Sequence, residues 1–182
     1  MKRGLTLASM PGSLGEHVLD ARRPFVVAGT HGKTTTTTLT AYLLRAVGID
    51  AGFFIGGIPL NFERSSGLGG EGAPFVIEGD EYDSAYFEKT PKFWHYRPAR
   101  AILTSVEYDH VDIYPNEDAY LDAFREFVRR IPSEGWLFAW AGDPLVREVV
   151  ESAECRVRFY ALDGDDCGDV QPMWLGMPAP GG

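Results

Sequence analysis

Short apolar runs recur along the chain, separated by segments that are either polar or patterned with a helical period. The runs at 24–29, 51–55, 74–78, 100–105, 136–140 and 156–160 are rich in β-branched and aromatic residues, and their length fits strands buried on both faces. Residues 35–47 place Leu39, Tyr42, Leu43 and Ala46 at helical spacing and stop at Gly48. Residues 116–131 do the same with Tyr120, Leu121, Phe124, Phe127 and Val128. A third helix is predicted over 144–152, with Asp143 as its cap and Pro144 at its first position. Strands alternating with helices imply crossover connections, so the predicted fold is α/β: a mostly parallel, twisted sheet flanked by helices.

The 182 residues suffice for one sizeable core with short appendages. No internal repeat is evident. The glycine-rich stretch 65–72 reads as a flexible loop, and the tail 163–182, which mixes acids, prolines and glycines with Met173, Trp174, Leu175 and Met177, reads as a partial element lacking its partner.

Composition narrows the function classes. A net charge of −9 disfavours a nucleic-acid partner, which asks for a basic face. A single phosphate chain is still permitted, because a helix N-terminus and a few local cations can hold one. The apolar runs are too short to span a bilayer, and the stretch after Lys2 and Arg3 is broken by Thr6, Ser9 and Pro11, so a cytoplasmic address is expected. Cys155 and Cys167 do not make a disulfide framework in a chain of this size and are read as reduced.

Candidate chemistry begins where the first strand meets the first long helix. Five threonines, Thr34 to Thr38, open that helix, although β-branched residues are mediocre helix formers. They follow Gly29-Thr-His-Gly-Lys33, a glycine-flanked lysine between strand and helix. Such a turn can aim backbone N–H groups and the helix dipole at an anion while Lys33 reaches the outer phosphates. The Thr34 hydroxyl is then placed for a magnesium ion. Val27 stands where the longer phosphate-loop pattern has its first glycine, so this is a shorter variant. Gly29, Thr30, His31, Gly32, Lys33, Thr34 and Thr35 form the candidate nucleotide-binding set, and Thr36 to Thr38 are read as a helix face packed on the sheet.

Hard cations want carboxylate oxygens. Glu78 closes one predicted strand and is followed by Asp80, Glu81 and Asp83, while Glu107, Asp109, His110 and Asp112 follow another. In an open parallel sheet the carboxyl ends of strands share one edge, so these groups are expected to converge on the phosphate loop.

Together, Gly29-Thr-His-Gly-Lys-Thr-Thr35, Val76-Ile-Glu-Gly-Asp-Glu81 and Glu107-Tyr-Asp-His-Val-Asp112 resemble the central ATP-binding domain of the Mur ligases, which build the peptidoglycan precursor. Within that family, the stretches 54–62 and 80–98 are most similar to the branch that joins L-alanyl-γ-D-glutamyl-meso-diaminopimelate to UDP-N-acetylmuramate; the alanine-adding branch is the near neighbour, usually with serine where this chain has Tyr82. The resemblance implies an ATP-dependent amide-forming ligase acting through an acyl phosphate, with ATP and Mg2+ as cofactors. It implies Lys33, Glu78 and His110 as catalytic residues and Thr34, Glu78 and His110 as metal ligands. Gly56 and Asn61 are candidate contacts to the UDP-sugar. It also divides the chain into a connector from an N-terminal domain (1–22), the central domain (23–165) and a tail (166–182). The remaining domains of a complete ligase would then be partners, and an isolated central domain is expected to be inactive.

Two positions depart from the family pattern. Ser105 stands where relatives often have asparagine, and Phe124, Arg125 and Glu126 occupy the region where several carry a carbamylated lysine. Arginine cannot form that carbamate, so a second metal would be held without it. A folylpolyglutamate-synthase-like ligase is an alternative, but it lacks a match to the acidic loop 80–83. A nucleotide-binding regulatory module is a second, non-enzyme alternative; a guanine switch would want Asn-Lys-x-Asp, and a dinucleotide domain Gly-x-Gly-x-x-Gly, and neither occurs.

Overall fold

The structure, a computed structural model, describes residues 7–108 and 113–174. Ser9 caps a short helix α1 (Met10–Leu14) by accepting from the Gly12 N–H at 3.2 Å, and a π-helical turn (Gly15–Leu19) then drives Leu19 into the core. There follow β1 (Arg23–Ala28), α2 (Lys33–Ala46), β2 (Gly52–Phe54), β3 (Ser66–Gly67) and β4 (Pro74–Gly79). A hairpin of β5 (Asp83–Ala85) and β6 (Glu88–Pro91) leads through a 3-10 turn (Lys92–His95) into β7 (Arg100–Leu103). The described residues end with α3 (Glu117–Arg129), β8 (Trp136–Trp140), α4 (Pro144–Val150), β9 (Arg156–Ala161) and β10 (Met173–Trp174).

Among the described residues eight strands make the main sheet in the order β10-β9-β8-β7-β1-β4-β2-β3, parallel throughout except for the antiparallel β2–β3 edge pair. All six predicted strands and all three predicted helices are present. Side-chain alternation splits the core between the two faces. On one face Val26, Ala28, Phe75, Ile77 and Leu103 meet Tyr120, Phe124, Phe127 and Phe93; on the other Val27, Val76 and Phe53 meet Ala41 and Leu44. The α3 face is aromatic: Phe93 lies 5.3 Å from Phe124 and 4.8 Å from Phe127, ring centre to ring centre.

Helix α2 runs against its own hydrophobic pattern. Leu39, Tyr42 and Leu43 are about half exposed, and the side that meets β1 and β4 carries Thr37, Ala41 and Leu44. Of the threonines 36–38 only Thr37 is fully buried; Thr36 and Thr38 are half-buried, so the expected packed face is narrower than the run. Burial of Thr37 is tolerated because its hydroxyl donates to the Lys33 carbonyl at 2.7 Å, one turn back.

Two further expectations are corrected. The stretch 65–72 is not a free loop: it contains β3, Arg22 donates to Leu68 O and Gly70 O, and Gly70 N donates to Asp50 O. Gly69 explains the tight seat, since it has φ +66° and a side chain there would meet Gly52 N at 2.3 Å. The tail does find a partner, because Met173 and Trp174 extend the sheet beside β9.

The inverted face of α2 is testable by urea unfolding. Leu39→Lys is expected to change stability by less than about 0.5 kcal/mol. Ala41→Leu, forced between helix and sheet, is expected to cost about 1–3 kcal/mol. The reverse ranking would mean that α2 packs through its apolar stripe.

Candidate nucleotide and metal site

β1 sits at the point where the sheet's connections part: the chain leaving β1 crosses through α2 to β2 on one side, and the chain leaving β7 crosses through α3 to β8 on the other. Ligands in open α/β sheets bind outside the carboxyl ends of the strands at such a point. Residues 29–32 turn there. Gly29 has φ +136°, and a side chain on it would lie 2.2 Å from Thr104 Oγ1 and 2.8 Å from Ser105 O. Gly32 has φ +77° and begins α2 with no side chain capping it. The first-turn N–H groups of a helix have no intrahelical acceptor, so this end is left open to an anion.

The turn is clamped from the end of β7. Thr30 N donates to Ser105 O at 2.9 Å, His31 N to Ser105 Oγ at 3.0 Å, and Thr104 Oγ1 to His31 O at 2.6 Å. Ser105, the departure from the family pattern, therefore holds the loop. Thr30 is buried as a hub: its Oγ1 accepts from Glu107 N at 2.8 Å and lies 2.7 Å from Tyr120 Oη. His31 points outward and meets Glu107 at 3.1 Å. Asp143, besides capping α4, accepts from Val106 N at 2.8 Å and ties this strand end to the next helix.

Strand alternation decides where Glu78 points. In β4, Phe75 and Ile77 face the α3 side, so Val76 and Glu78 face the α2 side, and the first turn of α2 meets Glu78 there. Thr34 Oγ1 donates to Glu78 Oε1 at 2.9 Å, and Gly56 N donates to Oε2 at 2.8 Å. Neighbouring acids are already matched with cations: Asp80 with Lys92 at 2.7 Å, Asp83 with Lys89 at 2.6 Å, and Glu81 with Lys33 at 3.0 Å. Among the described residues Glu78 has no such cation. A hydroxyl and a carboxylate oxygen are the hard donors that Mg2+ selects, and two adjacent ligands of an octahedral Mg2+ ion lie about 2.9 Å apart, so this pair fits the ion.

Lys33 lies over its own loop, with Nζ 2.6 Å from Gly29 O and 3.1 Å from Thr30 O. Thr35 is exposed beside Thr34. Together with Thr38, Tyr42, Leu60 and Asn61 they line a pocket of about 400 Å3. Asn61 is held by its neighbour: Phe62 stacks on Phe53 with centroids 4.3 Å apart, and the Arg45 guanidinium lies over both rings. The predicted convergence is thus found for the phosphate loop, Glu78 and Glu107, and Gly56, a candidate sugar contact, lies against Glu78 through its N–H. His110 lies outside the described residues, as do Asp109 and Asp112.

Sequence reading placed Glu81 only among the acids of its loop and Tyr120 only on a helix face, and it gave no role to Thr104 or Tyr114. Tyr114 donates to Glu81 O at 2.6 Å, and burial, then the Glu81 charge, pushes its phenol far above the ordinary range, so it stays a donor. Arg125, one of the three residues in the region that departs from the family pattern, bonds Asp122 on its own helix and Glu148 on α4.

The family profile of the Mur ligase middle domain matches residues 27–172. The UDP-N-acetylmuramate–L-alanyl-γ-D-glutamyl-meso-2,6-diaminoheptandioate ligase of Escherichia coli is 44% identical, over 97% of this chain and 43% of its own length. The UDP-N-acetylmuramate–L-alanine ligase of a Roseiflexus species is 45% identical over 74% of this chain and 27% of its own. The crystal structure of the first type of ligase from Neisseria meningitides superposes with a TM-score of 0.80 at 38% identity, covering 86% of this chain and 51% of that one. This chain thus spans well under half the length of the curated relatives it matches. The chain belongs to the Mur ligase family, whose middle domain accounts for most of its length.

Proposed function

We propose that this chain is the ATP-binding part of a ligase that joins L-alanyl-γ-D-glutamyl-meso-diaminopimelate to UDP-N-acetylmuramate in peptidoglycan recycling. The observation that carries the reading is the 2.9 Å contact between Thr34 Oγ1 and Glu78 Oε1, beside an uncapped helix N-terminus and Lys33. In this reading a carboxylate oxygen of UDP-N-acetylmuramate attacks the γ-phosphorus of ATP, and ADP leaves. The peptide's amine then attacks the resulting acyl phosphate, loses a proton and expels inorganic phosphate as the amide forms. Each bond change belongs to the substrates, so the protein's contribution is alignment and charge neutralisation.

The roles of the described residues follow from position, and that of His110 from the family resemblance. The N–H groups of Gly32 to Thr35 and the Lys33 ammonium bind the phosphates. Thr34 and Glu78 would hold one Mg2+, and Glu78 with His110 a second, and such ions would supply charge neutralisation at the transferring phosphoryl group. Gly56 must remain small, since a side chain there would meet the Glu78 carboxylate at 3.0 Å. The pocket that shares Thr34 with this site and presents Asn61 is where the sugar-borne carboxylate would approach. The exposed Leu39, Tyr42 and Leu43, with Leu60 95% exposed next to them, give the other domains of a complete ligase an apolar surface to cover. The cytoplasmic address, and the division into connector, central domain and tail, belong to the same reading. Among the described residues no helix is long and apolar enough to cross a membrane.

A second reading, the alanine-adding ligase, is favoured by the 45% identity to such an enzyme. The 44% identity held over 97% of this chain, and the superposition on a tripeptide ligase at TM-score 0.80 against 0.59 for an alanine-adding one, favour the first.

Three measurements test this. Lys33→Ala is expected to abolish ATP binding by calorimetry; unchanged affinity would refute the phosphate-loop role. Glu78→Gln is expected to weaken Mg2+-ATP binding by at least about tenfold while leaving metal-free ATP unaffected, because only the metal needs the carboxylate. In the complete protein, phosphate release with UDP-N-acetylmuramate is expected with the tripeptide as amine; release with L-alanine alone would replace the first reading by the second.

A further inference from the structure

Glu81 is a fully buried carboxylate that the proposed chemistry does not use. Its two oxygens lie 3.2 and 3.0 Å from Lys33 Nζ, an ammonium that also faces Gly29 O and Thr30 O. With those two carbonyls as acceptors, the third ammonium proton is directed at Glu81. A buried carboxylate is costly unless a cation and hydrogen bonds compensate it, and Lys33 supplies that charge.

The backbone around Glu81 is fixed on both sides. Tyr114 Oη donates to its carbonyl at 2.6 Å, Phe93 N donates to Asp80 O at 3.2 Å, and Lys92 N donates to Tyr82 O at 3.0 Å. Asp80 is itself held by the Lys92 ammonium at 2.7 Å. The carboxylate is fully buried on a backbone held at residues 80, 81 and 82, so it stays close to Lys33 when an anion arrives. A phosphate oxygen bonded to the same ammonium would come within roughly 6 Å of it, with like charge and little intervening water.

We propose that Glu81 sets nucleotide affinity: it is a fixed counter-ion that shares Lys33 with the bound phosphates and keeps binding weak enough for ADP to leave. The inference rests on the phosphate-loop reading of Lys33. It predicts an effect of opposite sign to simple structural damage, because removing the charge of Glu81 strengthens binding, whereas loosening the loop weakens it.

The test is titration of the full chain with Mg2+-ADP and Mg2+-ATP. Glu81→Gln, which keeps the shape and removes the charge, is expected to tighten both by about tenfold. Unchanged or weaker binding in Glu81→Gln, with binding lost in Lys33→Met, would overturn this inference and leave the phosphate loop standing. Unchanged binding in Lys33→Met would overturn both. Should Glu81→Gln fail to fold, Glu81→Asp, which draws the charge back by one methylene, replaces it: tighter binding supports the counter-ion role, and equal or weaker binding contradicts it.

Discussion

The two-residue alternation of a parallel strand is the constraint on which the site depends. β4 must bury Phe75 and Ile77 under α3 and its aromatic neighbours, and this fixes Val76 and Glu78 on the opposite face. A slip of one residue would send the carboxylate into the aromatic core. Helix α2 can approach that opposite face closely because Thr37 and Ala41 are small, and its first turn then sets Thr34 against Glu78. Core packing and metal-site geometry are thus one requirement seen from two sides of the sheet.

Around that contact the charges are distributed with little slack. Glu78 faces a hydroxyl and an N–H, whereas Asp80, Glu81 and Asp83 face lysines. A carboxylate already paired with an ammonium has less to offer a divalent ion, so the pairing is what singles out Glu78 as the proposed oxygen donor in a strongly acidic segment. The phosphate loop is similarly fixed, with its shape set by two glycines at positive φ and by Thr104 and Ser105 reaching across from β7.

Much of this was legible in the sequence. Apart from β9, with its exposed Arg156 and Arg158, the central strands announce themselves because a strand covered on both faces needs apolar side chains at nearly every position, and the phosphate loop because few other arrangements of Gly32, Lys33 and Thr34 between strand and helix have a use. The outward face of α2 was not, since periodicity reports that a helix has a stripe and not which way the stripe points. The β5–β6 hairpin was hidden because its residues, from Asp83 to Pro91, carry no apolar alternation. Burial of Glu81 was hidden for a different reason: an acid in an acidic loop is ordinarily solvated, and only the fold reveals that Lys33 lies over it.

The most direct test is a crystal structure of the chain with Mn2+ standing in for Mg2+ and a non-hydrolysable ATP analogue, with the metal located by its anomalous signal. The account predicts Mn2+ bonded to Thr34 Oγ1 and a Glu78 oxygen, with the phosphates on the N–H groups of Gly32 to Thr35. Metal bound elsewhere, with the Thr34–Glu78 hydrogen bond intact, would contradict it.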